Sequence, residues 1–177
     1  MSTQLFPSVE SHLIDANLFI RFERHDTIGL LERAVTEHNV ILLLPARVYE
    51  ELTPESYPYG TPPVEDAIDA GWVQLLGEVD YSNPVVSETM DMVRQYISAA
   101  TDRPEHTIEQ ADAEVGGAAA TLLEQGQTES IAIYTNDLPA FRGIERALSK
   151  HGYEDSVQLI KAFDFVTSVE DRYQFSE

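Results

Sequence analysis

Five consecutive apolar residues, Val40-Ile41-Leu42-Leu43-Leu44, run straight into Pro45. A strand with no polar alternation has to be covered on both faces, which is the position of an inner strand in a parallel sheet. A proline directly after it fits the first turn of a helix, where its missing N–H costs nothing. Strand followed at once by helix is the unit of layered α/β folds.

The same form recurs along the chain. Leu13-Ile14 leads into Asp15, with a strand expected at about residues 12 to 15. Trp72-Val73-Gln74-Leu75-Leu76, Ile131 to Thr135 and Val157 to Lys161 are three more short apolar runs. Between them the spacing turns helical. Leu18, Phe19, Phe22, Ile28, Leu31 and Val35 predict a helical region from Asn17 to about Glu37, broken near Gly29. Val48 and Leu52 share one face of the helix opened by Pro45, and Val64 to Ala70 form a short helix ended by Gly71. Val86, Met90, Val93, Ile97 and Ala100 make a stripe in a helix opened by Pro84. A helix over residues 108 to 125 carries Gly116, Gly117 and Ala118 to Ala120 as a small-residue surface, and another runs from about Leu138 to His151. The prolines and Gly60 within residues 53 to 63 predict a loop. One domain spanning 1–177 is expected, with 1–10 and 163–177 at its periphery, the latter as a short helix or tail. Alternating strands and helices imply a parallel sheet with helices on both faces.

Composition bears on the surroundings and the chemistry. A chain of 177 residues with 43% hydrophobic content can bury one core and is short for two. Its 31 acids against 11 bases give a charge of −20, spread along the chain. Dispersed acidity of this size resembles proteins of salt-loving microbes, where the Debye length falls to about 3 Å near molar salt and self-repulsion is screened. The absence of Cys excludes disulfides, thiolate metal sites and a Cys nucleophile. No basic-then-apolar leader and no run of about 18 apolar residues occurs, so a soluble cytoplasmic protein without a membrane partner is expected. The five His show no paired ligand spacing, and neither a Gly-rich phosphate loop nor a Ser elbow is present.

Open parallel sheets bind ligands beyond the carboxyl ends of their strands, where the strand order reverses. Asp15 ends the first strand, and three further acids fall where the layout can bring them to it. Glu51 lies in the helix after the second strand, Asp112 near the start of the helix before the fourth, and Asp137 directly after the fourth. Singly, each has a plain reading: a turn acid at Asp15, a solvated surface charge at Glu51, a first-turn acid favouring the helix dipole at Asp112, an N-cap before Pro139 at Asp137. Capping and metal binding do not exclude each other.

Four pieces in this order resemble the PIN-domain ribonucleases, which include toxins of the VapBC type. They are Leu13-Ile14-Asp15-Ala16-Asn17-Leu18-Phe19-Ile20, Pro45 to Leu52, Ala111-Asp112-Ala113-Glu114 and Tyr134-Thr135-Asn136-Asp137. The resemblance implies a three-layer α/β domain with a five-stranded parallel sheet in the order 3-2-1-4-5, so that the first and fourth strands are neighbours. It implies that Asp15, Glu51, Asp112 and Asp137 hold Mg²⁺ or Mn²⁺ for hydrolysis of RNA, with Thr135 and Asn17 bonded to the acids. A homodimer is expected on the same ground and, in a toxin, an antitoxin partner. Glu50 competes with Glu51, which is preferred because it directly precedes Leu52. The pattern departs from the family at Pro139 and Ala140, where another acid often stands.

Hard divalent ions prefer oxygen ligands, and a carboxylate site without His or Cys selects Mg²⁺ or Mn²⁺ over zinc. Bound metal lowers the pKa of a water and neutralises charge on a phosphate. Arg47, Arg142 and Arg146 are the bases best placed to meet phosphates. Two readings stand beside the ribonuclease: a toxin of the same chemistry, and a non-catalytic PIN-like module binding RNA or protein. A phosphoacceptor receiver domain ranks last, because no Asp lies near Leu44 to accept the phosphate.

Overall fold

The computed structural model describes residues 4–108 and 110–174. Its strands are Ser11–Ile14 (β1), Leu42–Leu44 (β2), Val73–Leu75 (β3), Ile131–Thr135 (β4) and Val157–Lys161 (β5). All pairings are parallel, and the order is β3-β2-β1-β4-β5, as expected. The helices are Ala16–Arg24 (α1), Ile28–Glu37 (α2), Ala46–Leu52 (α3), Pro63–Ala70 (α4), Pro84–Thr101 (α5), Gln110–Glu124 (α6), Leu138–Ser149 (α7) and Ala162–Gln174 (α8), with a 3-10 turn at Glu105–Thr107. The expected start of α6 near Ile108 runs across residue 109, which lies outside the described residues.

Burial explains why these segments are strands. All five residues of β4 are buried, as are Leu13 and Ile14 of β1 and Leu42 and Leu44 of β2. Side chains alternate across a sheet, so neighbours on β4 serve different layers. Tyr134 meets Phe165 of α8 at 5.1 Å between ring centroids. Ile133 and Thr135 therefore turn toward the other layer, where α5, α6 and α7 pack on one another. There the small residues work as a close-packing surface. A Cβ on Gly116 would stand 2.9 Å from Ile144 and 3.0 Å from Val93, and one on Gly143 would stand 2.8 Å from the Val93 Cα.

Four local expectations change. β2 begins at Leu42, and Ile41 is 49% exposed, so only the end of the apolar run is covered on both faces. The break between α1 and α2 falls at residues 25–27, where Asp26 adopts φ 55°, while Gly29 lies inside α2. The α5 stripe ends at Ile97, and Ala100 is exposed. The fourth concerns the ends. Phe6 is buried against His12, His38 and Phe165, and α8 buries Phe165, Val166, Val169 and Tyr173, so within the described residues both terminal segments contribute to the core. Among the described residues no helix is long and apolar enough to cross a membrane.

Candidate metal centre

β1 and β4 are neighbours in the register Leu13↔Ile133 and Ile14↔Tyr134. The ladder runs one bond further, from the Asp15 N–H to the Tyr134 carbonyl at 3.1 Å. Asp15 is thus one residue past the strand and serves as N-cap of α1, its Oδ1 accepting from the Ala16 N–H at 2.7 Å. The Thr135 hydroxyl donates to Asp15 Oδ2 at 2.9 Å and accepts from the Asp137 N–H at 3.0 Å. Asp137 in turn caps α7, its Oδ1 accepting from the Ala140 N–H at 3.0 Å. Two acids from neighbouring strand ends, joined through one buried hydroxyl, therefore face the point where the strand order reverses.

The electrostatics follow from this arrangement. Burial pushes the Asp15 carboxyl above its ordinary 3.8; the bonds from Thr135 and Ala16 oppose the shift, and the charge of Asp137 adds to it. Neither acid has a basic ion-pair partner among the described residues. Two carboxylates and a hydroxyl, all oxygen donors, form a set that suits a hard divalent cation, whose charge would offset both the desolvation and the mutual repulsion.

Asp112 and Glu51 take different places. Asp112 is partly buried in the first turn of α6, one turn before Gly116, on the stripe that faces α5 and α7. Glu51 is exposed near the end of α3, while Glu50 is paired with Arg47 at 3.2 Å. Among the described residues, no three His, Asp or Glu side chains converge closely enough to hold a metal ion. The structure joins Asp15 to Asp137 through Thr135, and Glu51 and Asp112 lie on α3 and α6. Thr135 bonds to Asp15 as expected, whereas Asn17 is exposed on α1.

A further acid of the quoted sequence pieces, outside the expected ligand set, is buried. Glu114 is 2% exposed, and its Oε2 accepts the Arg47 N–H in the first turn of α3 at 2.5 Å. Burial raises its pKa, and the bond from Arg47 opposes that. It ties α6 to the start of α3. The signal was a lone acid within the run Ala113 to Ala120, where a solvated charge has no place.

Arg47 is engaged by Glu50, and Arg142 and Arg146 line a shallow depression of about 500 Å³ with Tyr96, Glu145 and Glu154. A cavity of about 590 Å³ lined by Ser11, His12, Val40 and Ile41 opens at the amino ends of β1 and β2, across the sheet from the carboxylates.

No curated protein matches the chain. A family model described as the halobacterial PIN domain matches residues 8–174. That description agrees with the dispersed acidity of the sequence, and PIN domains are generally nucleases that use divalent metal ions. Because the match takes in every strand of the 3-2-1-4-5 sheet and the carboxylate crevice between β1 and β4, the chain belongs to the halobacterial PIN-domain family.

Proposed function

We propose that this protein is a metal-dependent endoribonuclease whose centre is Asp15 and Asp137, completed by Glu51 and Asp112 as ligands of Mg²⁺ or Mn²⁺. The observation that carries the proposal is the pair of acids bridged by Thr135 at the switch point, one of them desolvated and neither, among the described residues, paired with a base. When bound, such an ion activates water and offsets charge on the scissile phosphate. The chain's own part is positioning. Thr135 fixes the rotamer of Asp15 by donating to Oδ2, which leaves Oδ1 to the Ala16 N–H and the remaining lone pairs to a cation. The α7 cap holds Asp137 Oδ1 on the Ala140 N–H and leaves Oδ2 for the crevice. Glu114 anchors α3, the helix that carries Glu51, against α6, the helix that carries Asp112.

The test is to incubate single-stranded RNA with the protein at several KCl concentrations with Mn²⁺ or Mg²⁺, with EDTA, and with Asp15→Asn. Cutting that needs the metal and disappears in Asp15→Asn supports the nuclease. Cutting that survives both EDTA and Asp15→Asn contradicts it. One observation favours a second reading, a PIN-like module that binds RNA or protein without cutting: among the described residues no three acids converge. Binding of RNA without cutting at any salt would select it. A toxin held by an antitoxin shares the nuclease chemistry and differs only in its partner.

A further inference from the structure

Beyond the acids, the carboxyl edge of the sheet carries a small group of side chains that the nuclease centre does not use. Phe163, in the first turn of α8, is 40% exposed. Its backbone N–H donates to Asn136 Oδ1 at 3.1 Å, which fixes it to the turn between Thr135 and Asp137. The Arg21 guanidinium lies over its ring with Cζ 3.7 Å from the centroid. Arg21 belongs to α1, the helix capped by Asp15. Lys161, exposed at the end of β5, stands beside Thr135 in the β4–β5 register. Among the described residues neither Arg21 nor Lys161 forms an ion pair, although the protein carries 31 acids. In contrast Arg33, Arg47, Arg94 and Lys150 each have a carboxylate partner.

An exposed ring stacked on an arginine, with an exposed lysine two residues before it at the strand end, is a surface for a nucleobase and its phosphates. Single-strand binders use aromatic faces for bases and Arg or Lys for the backbone. A protein of charge −20 in strong salt gains little from phosphate contacts, because binding through a few charges falls steeply as salt rises. Stacking is not screened in this way, so a ring beside the crevice supplies binding that salt leaves intact.

We infer that Phe163, backed by Arg21 and flanked by Lys161, is a base-stacking subsite that holds an unpaired nucleotide of RNA next to the scissile phosphate and positions the strand over Asp15 and Asp137. The inference rests on the nuclease proposal and names the residues that set its substrate. A duplex cannot offer a base to Phe163, so cutting is confined to unpaired stretches.

The experiment measures Mn²⁺-dependent cutting of a fluorescent single-stranded RNA in molar KCl by the wild type, Phe163→Ala, Phe163→Trp and Arg21→Gln, with thermal unfolding recorded for each. Phe163→Ala raises KM by about tenfold to a hundredfold, more than any fall in kcat, while Phe163→Trp keeps the wild-type KM. In the RNA, one abasic nucleotide beside the cut site raises the wild-type KM and removes the difference between wild type and Phe163→Ala. If the wild type cuts and Phe163→Ala has the same KM, the nuclease stands and the subsite falls. If Phe163→Ala and Phe163→Trp both lose activity together with melting temperature, the ring is only a clamp between α1 and α8, and the subsite again falls. If the wild type cuts no RNA at any salt, the nuclease proposal fails and takes the subsite with it.

Discussion

Asp15 carries two duties that draw on different atoms and pull its carboxyl in opposite directions. Its Oδ1 caps α1 through the Ala16 N–H, while burial and the charge of Asp137 favour the neutral acid. A pKa raised in the folded state contributes stability that is fully present below the unfolded value, near 3.8, and is lost as pH rises through the folded value. At neutral pH the charged Asp15 is therefore a net cost to the metal-free protein. Asp15→Asn keeps the shape and removes the charge, so its metal-free melting temperature at pH 7 should exceed that of the wild type, with the gap closing as pH falls toward 4. Added Mg²⁺ should stabilise the wild type and leave Asp15→Asn unchanged. Thermal scans by circular dichroism in molar KCl, with and without EDTA, report both. A variant that melts lower than wild type at pH 7 without metal would show that the cap outweighs the buried charge. Asp15 and Asp137 could be picked out from the sequence because each follows an apolar run on which an isolated carboxylate is conspicuous. Glu114 stands out as the one acid within the run Ala113 to Ala120, but its bond to the Arg47 N–H, like that of the Phe163 N–H to Asn136, is set across elements that no spacing encodes.

The elements divide into those whose signals are local and those fixed by packing. Gly71 ends α4 with φ of 88°, a backbone that glycine takes without strain, so that stop could be read directly. The break after α1 could not be found from Gly29, because the left-handed residue there is Asp26, one of the few residue types besides glycine that tolerates that region. The apolar residues of α8 do recur at helical spacing, but whether such a helix docks depends on Phe6, Tyr134 and Phe165 meeting, which is a tertiary fact. The helical layer behind the crevice depends on α5 and α7 approaching at Gly143. A methyl group there would meet the Val93 Cα at 2.8 Å and the Met92 carbonyl at 2.9 Å, both backbone atoms that cannot turn away. At Gly117 the nearest atom is the Met90 sulfur at 2.8 Å, on a side chain with freedom to move. Gly143→Ala should therefore cost about 2 to 3 kcal/mol, and Gly117→Ala clearly less. Denaturant midpoints in high salt measure this difference, and equal costs would show that α5 itself shifts to accept the methyl group.

Across the whole molecule, the sheet order brings β1 beside β4, and the acidic surface surrounds a crevice in which, among the described residues, neither Asp15 nor Asp137 has a basic ion-pair partner. A net charge of −20 opposes folding at low ionic strength, because the Debye length grows from about 3 Å at 1 M to about 10 Å at 0.1 M. Melting temperature should rise with KCl between those limits, and a profile independent of KCl would contradict the surface reading. Metal binding at the crevice should resist salt better than binding to scattered surface acids, since its ligands are partly desolvated. Calorimetric titration of Mn²⁺ into the protein at pH 7 in molar KCl tests the centre most directly, comparing the wild type with Asp15→Asn, Asp137→Asn and the exposed control Glu32→Gln. Saturable binding is expected for the wild type and for Glu32→Gln, with affinity at least about tenfold weaker in each of the two Asp variants. Equal affinity in all four proteins would contradict that centre.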